Sequence, residues 1–289
     1  MNPQELEKFN LTIPKLANKL GIKIGKLNAI YYEGILMSEI IFEKFDLRRE
    51  FKNYIVEKKK DNWGKSKGGK LSKGNTKEIE IPHDSSDLAE FYGIMLGDGN
   101  LMAKKSYKVG TYQIRIVGDS RHDKEYLHNY VKPLIEKLFN IKVKLHKDKK
   151  RNFITLVATS KKLAEFLETK GFKPGNKIIN QLEIPIWIKE NKDFVKVCIR
   201  GLYDTDGSVY KLTNQNSHQI CFTNYNKKLM NNVRESLLSL GINPSKVTKG
   251  RDLLITKKSE LRKFLNEIGF KNSRHLDKVE KWNLRSPVV

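Results

Sequence analysis

The sequence predicts an α+β protein made of two pseudo-twofold αββαββα repeats, preceded by a small α-helical extension. Three observations carry the prediction. Helical and alternating apolar patterns follow one another in that order twice after residue 85. Matching segments recur along the chain at a slowly shrinking offset, and residues 12–34 carry helical periodicity alone.

In residues 12–34, Leu16, Ala17 and Leu20 stand at helical spacing, Gly21 interrupts, and Ile24, Leu27 and Ile30 or Tyr31 resume it. A short helix, a tight turn and a second helix make a candidate helix-turn-helix within a helical N-terminal domain, 1–57. Residues 58–77 hold eight lysines and four glycines against one acid, too little apolar surface to order unaided. The stretch 58–80 therefore reads as a basic linker that follows phosphates, with Lys65, Lys67 and Lys70 as contacts.

The first repeat, 81–175, opens with a helix over SSDLAEFYGIML and Asp98-Gly99. Strands follow around 100–107 and 111–117, then a helix over 122–139, strands at 142–147 and 152–159, and a helix over 161–169 closing at Gly171. The second repeat, 176–289 with its tail, opens with FVKVCIRGLYDT and Asp206-Gly207. It continues through a strand pair ending in HQICFTN, a helix over 226–239, strands near 245–256 and a helix closing at Gly269. The offsets support the duplication: 108 from Asp98 to Asp206, 106 from QIRIVG to QICFTN, and 98 from FLETKGF to FLNEIGF. Deletions in loops shrink an offset in this way.

Composition narrows the function. The 289 residues carry 56 Lys plus Arg against 33 Asp plus Glu, a formal charge of +23. Such an excess points to a polyanion. The cations recur from Lys15 to Lys281 with Tyr, Gln, Asn and Thr between them, which favours nucleic acid over a membrane surface. No apolar stretch is long enough to span a bilayer. Cys198 and Cys221 are too few for a disulfide framework or a thiolate zinc site, and the start lacks a signal-peptide pattern. An intracellular, cytoplasmic setting is the expectation.

Each repeat begins with the same pattern, FYGIMLGDG at 91–99 and IRGLYDTDG at 199–207. Gly93 and Gly97, like Gly201 and Thr205, stand four apart, so each helix offers a ridge of small residues where the two could cross closely. The following glycine is an ordinary helix stop and puts Asp98 and Asp206 at C-terminal ends, where the macrodipole is already negative. Two such ends brought together form a cluster of hard oxygens suited to Mg²⁺, with Mn²⁺ able to substitute. Metal-assisted phosphodiester hydrolysis is the matching chemistry.

With these paired motifs, residues 85–275 resemble the LAGLIDADG homing endonucleases in their single-chain, two-motif form. The resemblance implies a saddle of two four-stranded sheets over a long double-stranded DNA site. It implies cleavage of both strands across the minor groove, leaving 3′ overhangs, by a monomer. Asp98 and Asp206 match the family's metal-binding acids, and Gly97 and Thr205 stand where a backbone carbonyl adds a ligand. The first motif has Leu96 where the second keeps Asp204, an acid that is normally not the metal ligand. The splicing residues expected of intein-borne relatives are missing at Met1 and at the final Ser-Pro-Val-Val, so a free-standing or intron-encoded enzyme is expected.

Strand alternation assigns the remaining candidates. Ile114 and Ile116 point inward with Gln113 and Arg115 opposite, and Val143 and Leu145 inward with Lys142, Lys144 and His146 opposite. In HQICFTN the same rule exposes Gln219, Cys221 and Thr223. Such a face suits base-edge and phosphate contacts in a major groove. Gln113 and Gln219, at equivalent points of the repeat, are candidates for ordering water beside the scissile phosphate, as polar residues do in the family. Lys257 or Lys258 is a candidate for stabilising the transition-state anion. Two alternatives use the same fold: an RNA-binding intron-splicing maturase, or a non-catalytic DNA-binding transcription regulator.

Overall fold

The computed structural model describes residues 12–45, 55, 57–59, 78–105, 110–148, 150–213 and 217–285. The chain divides into two compact units, Met1–Gly74 and Asn75–Val289. The predicted linker contacts Lys65, Lys67 and Lys70 lie outside the described residues.

In the first unit, α1 (Ile13–Leu20) and α2 (Ile24–Tyr32) are joined by a turn at Gly21, which caps α1 in the left-handed region at φ 66°. A third helix, α3 (Glu39–Phe45), packs its Ile41 on Leu16, Ala17, Leu20 and Leu27. Five buried side chains make a small separate core.

In the second unit, α4 (Ser86–Gly97) leads into β1 (Gly99–Lys105) and β2 (Gly110–Asp119). The stretches Lys124–Tyr126, Leu127–Val131 and Lys132–Phe139 run on as one helix, α5, whose middle turn is widened to π geometry. Pro133 explains the wide turn, because it donates no N–H and crowds the carbonyl four residues before it. Next come β3 (Lys144–Lys147), β4 (Phe153–Thr159) and α6 (Lys161–Thr169). After a short α7 (Ile186–Lys189), the second repeat runs α8 (Lys192–Asp206), β5 (Gly207–Lys211), β6 (His218–Thr223), α9 (Lys227–Ser239), β7 (Asp252–Ile255), α10 (Lys258–Glu267) and α11 (Ser273–Lys281).

The first sheet is antiparallel in the order β1-β2-β4-β3, and the second in the order β5-β6-β7. Among the described residues the second sheet has three strands where the family resemblance implied four. The missing partner has a local cause. Pro244 offers no N–H, and Ser245 answers Leu254 with one backbone bond and one through its hydroxyl, which breaks the ladder. One continuous apolar core underlies both sheets, with Phe91, Tyr92, Ile94 and Met95 of α4 and Ile199, Leu202 and Tyr203 of α8 at its centre.

The helices α4 and α8 cross on their small residues. A Cβ added to Gly93 would stand 2.1 Å from the Cys198 carbonyl oxygen, and one on Gly201 would stand 2.5 Å from that of Glu90. The backbones therefore touch, as the ridges predicted. Beside the crossing, Arg200 holds the buried Glu90 through two hydrogen bonds of 2.9 and 2.6 Å, tying one repeat to the other.

Candidate metal centre

The crossing delivers the two acids to one place. Asp98 caps α4 and Asp206 is the last residue of α8. A Cβ on Gly97 would lie 1.9 Å from the Thr205 hydroxyl oxygen and 3.6 Å from the Asp206 carboxyl carbon, so the helix ends meet side by side. The Asp-Gly pairs turn directly from helix into strand. A Cβ on Gly99 or Gly207 would strike the backbone of Met95 or Tyr203, so only glycine leaves room at those turns.

Burial first, then the neighbouring Asp206 charge, raises the Asp98 carboxyl to a pKa of about 7. Burial also raises Asp206, opposed by a hydrogen bond of 2.7 Å from Asn224 Nδ2 to its Oδ2. Two cations balance the pair. Lys177 donates to the carbonyl of Leu96 at 3.0 Å and also to that of Gly97, while burial pushes its ammonium pKa down and both aspartates oppose that push. Arg274, at the start of α11, donates to the Thr205 carbonyl at 2.7 Å and bridges to Asp123 at 3.2 Å. In both halves, the chain just beyond the helix that ends in the Gly-Phe pair returns a cation to the C-terminal end of the acidic helix before it. Lys177 and Arg274 follow the matched pairs Gly171-Phe172 and Gly269-Phe270 by similar intervals, the one signal in the sequence that could have found them.

Asp204 does not join the centre. Its buried carboxylate accepts the backbone N–H of Lys271 and of Asn272 and fixes the entry to α11. Among the described residues no three His, Cys, Asp or Glu side chains are grouped so as to hold a metal ion by themselves. The available donors at the helix ends are two carboxylates and two carbonyls. Each carbonyl oxygen keeps a second lone pair beside the bond from Lys177 or Arg274. An all-oxygen set of this kind fits a hard divalent cation.

Other predicted residues lie elsewhere. Val117, whose N–H donates to the Asp98 carbonyl at 3.4 Å, is the β2 residue nearest that acid. Gln113 is four residues farther along, roughly 13 Å at strand rise, and accepts from Arg115. Gln219 is five residues from Asn224, roughly 17 Å, and accepts from the Tyr210 hydroxyl. The place beside the Asp206 carboxylate belongs to Asn224, and its equivalent in the first repeat is Gly118. Lys257 also stands away from the acids. Register pairs Asp252 with Thr223 and Ile255 with Ile220, so β7 runs away from Asn224 and leaves Lys257 exposed ahead of α10. Lys177 is the lysine that the fold brings to the carboxylates.

Of the predicted sheet-face residues, Arg115, Lys142, Lys144, His146 and Thr223 are exposed, with Thr223 donating to Asp252 at 2.9 Å. Cys221 is buried instead of exposed, because in the central strand it lies between Ser208 and Leu254 on its neighbours. No helix among the described residues is long and apolar enough to cross a membrane.

Comparison with known proteins follows the second repeat most directly: residues 193–269 match the model of the LAGLIDADG-like domain. The chain is 27% identical over 298 aligned positions to the replication factor C small subunit of Methanocaldococcus jannaschii, covering 94% of this chain and 15% of that protein. It is 26% identical to the tRNA-splicing ligase RtcB of Methanopyrus kandleri, covering 63% of this chain and 20% of the ligase. The chain thus spans a fifth or less of the length of these relatives. Among solved structures, I-DmoI in complex with DNA and Ca is similar at a TM-score of 0.48 and 19% identity, covering 68% of this chain and 97% of that one. The meganuclease I-SmaMI bound to uncleaveable DNA is similar at 0.44 and 14%, covering 67% and 88%. The match to the LAGLIDADG-like domain thus spans the second repeat from α8 through α10.

Proposed function

We propose that the chain is a site-specific endonuclease of double-stranded DNA, a homing endonuclease that hydrolyses one phosphodiester in each strand with divalent metal ions. The observation that carries this reading is the meeting of Asp98 and Asp206 at the ends of two crossing helices, one from each repeat. A net charge of +23 supplies the attraction to the duplex. The solved relatives named above were crystallised with DNA, one of them with Ca.

Asp98 and Asp206, with the carbonyls of Gly97 and Thr205, would hold the metal ions, Mg²⁺ in the first place. A metal bound there would supply a lowered pKa for water and positive charge opposite the phosphate. Asn224 orients the Asp206 carboxylate, and Arg274 holds the Thr205 carbonyl in place. Lys177, anchored on the carbonyl end of α4, presents a positive charge where a phosphoryl oxygen becomes more anionic. The duplex lies with its minor groove over the acids, and cuts on either side of the pseudo-dyad leave 3′ overhangs. The enzyme acts as a monomer, because both acids come from one chain.

The test is cleavage of a plasmid library with Mg²⁺ or EDTA, using the wild-type chain, Asp98→Asn and Asp206→Asn. Discrete cutting that needs metal and is lost in both variants, with duplex binding retained, is the expected result. The rise in melting temperature that Mg²⁺ or Mn²⁺ gives the wild type is expected to vanish with it. Undiminished cutting by either variant removes the assignment.

A further inference from the structure

The first unit holds a basic pair of helices that the cleavage chemistry does not use. Three residues, 21–23, separate α1 from α2. Gly21 takes the left-handed region there, and Ile22 N–H donates to the Ala17 carbonyl at 3.0 Å. Leu16, Ala17 and Leu20 of α1 and Leu27 of α2 are buried together, with Ile22 of the turn packed on them and Ile41 of α3 closing the cluster. Two short helices joined by a three-residue turn that opens on glycine, and backed by a third helix, form a helix-turn-helix.

The two helices differ in what they bury. α1 buries three residues, whereas α2 fully buries only Leu27 and leaves its first turn in solvent. Lys23 and Lys26 are exposed there, and Ile24 is 49% exposed. A helix kept for packing alone would bury a stripe along its length. Lys23 stands at the N-cap of α2 without a side-chain cap, and the first turn holds no acid. A cation at the positive end of a helix is unfavourable until an anion joins it. Charge is also segregated by element. Residues 12–32 hold four lysines and no acid, all four lysines exposed, while residues 33–45 hold three glutamates and one lysine. A polyanion is therefore attracted to α1 and α2 and repelled by α3.

We propose that the first unit is a second DNA-reading module, whose helix α2 enters the major groove and adds to the target a block of base pairs that the sheets of the second unit do not read. Lys23 and the open end of α2 take a phosphate, Lys26 faces guanine O6 and N7, and Ile24 packs on a thymine methyl. Lys15 and Lys19 of α1 hold further phosphates. The inference rests on the reading of duplex DNA as the ligand and not on the metal chemistry. Both units belong to one chain, so the second contact is intramolecular and raises affinity and selectivity without enlarging either surface.

The test selects duplexes from a randomised library with the full chain in EDTA, then footprints the enriched duplex with hydroxyl radicals. The base pairs that the wild type enriches are expected to include a block that Ile24→Ser with Lys26→Gln neither enriches nor protects. Both positions are exposed and the new residues suit a helix about as well, so the melting temperature should stay at the wild-type value. Ile24→Val, which keeps the apolar contact, should retain the block. With the block intact, the serine–glutamine variant should bind about 10- to 100-fold more weakly than the wild type, and with the block scrambled, equally well. Lys15→Gln with Lys19→Gln should weaken binding to both duplexes alike and flatten its dependence on salt. A serine–glutamine variant that enriches the same positions as the wild type, or loses the same factor on both duplexes, overturns the inference and leaves the nuclease reading standing. A wild type that shows the block but cuts nothing once Mg²⁺ is added overturns the nuclease reading alone. A wild type that retains no duplex from the library overturns both.

Discussion

Asp204 and Asp206 are two positions apart and chemically different because of what faces each of them. The first spends its carboxylate on two backbone amides in the interior, and the second turns to Asn224 beside Asp98 and the cations. The amides that hold Asp204 introduce α11, whose buried His275 packs on Phe270 with ring centroids 4.7 Å apart and accepts from Arg274. Burial, reinforced by the charges of Arg274 and Lys278, lowers the His275 pKa to about 3. The unfolded chain takes up a proton near pH 6.5, well before the fold does. The stability due to neutral His275 is therefore complete above about pH 6.5 and is lost as the pH falls toward about 3. The difference in unfolding free energy between wild type and His275→Gln should shrink by on the order of 3 kcal/mol between pH 7 and about pH 4.5 in denaturant titrations. A constant difference would mean that the imidazole accepts its proton while folded. Residues of this kind set the limit of the sequence reading. Asp98 and Asp206 announce themselves by duplication. Lys177, Arg274 and Asn224 are three among many similar side chains until the fold sets them against particular carbonyls and a carboxylate.

At the scale of elements, the crossing of α4 and α8 decides whether the acids meet at all. Its determinants are local and periodic, which is why they were legible: four-residue spacing of small side chains, a helical apolar pattern and a glycine stop. Gly93→Ala tests the crossing. The new Cβ would stand 2.1 Å from the Cys198 carbonyl oxygen, on a backbone that cannot rotate away, so the helices must part. We expect a loss of about 1–3 kcal/mol in unfolding free energy. Metal-induced stabilisation should fall as well, since the Gly97 and Thr205 ends separate with the helices; an unchanged melting temperature would mean that the contact is loose. Elements with a short buried stripe escaped the sequence. α11 fully buries only His275 and Val279 of its nine residues, and one of the two is a histidine, so its apolar pattern is weak. The lack of a fourth strand in the second sheet among the described residues follows from Pro244 and the Ser245 hydroxyl, an effect of backbone donors that alternation does not register.

At the scale of the whole molecule, charge and core are partitioned differently. Met1–Gly74 carries 16 Lys plus Arg against 9 Asp plus Glu, and Asn75–Val289 carries 40 against 24. Most of the positive charge thus accompanies the acids and sheets. The cores are also separate: Leu16, Ala17, Leu20, Leu27 and Ile41 cluster by themselves, and none of them belongs to the large cluster around α4 and α8. A chain beginning at Asn75 keeps every residue of that large core, and so should unfold in one cooperative transition. It should also keep the metal-dependent activity proposed for the acids. What it should lose is part of its hold on DNA, because each phosphate contact given up removes its released counterions and flattens the dependence of binding on salt. Measured across a salt series on one duplex, the shortened chain is expected to bind more weakly with a shallower slope, and the loss in slope counts the phosphates that the basic stretch and helices engage. An identical slope would mean that Met1–Gly74 touches no phosphate. A shortened chain that fails to fold would mean that the small core supports the large one.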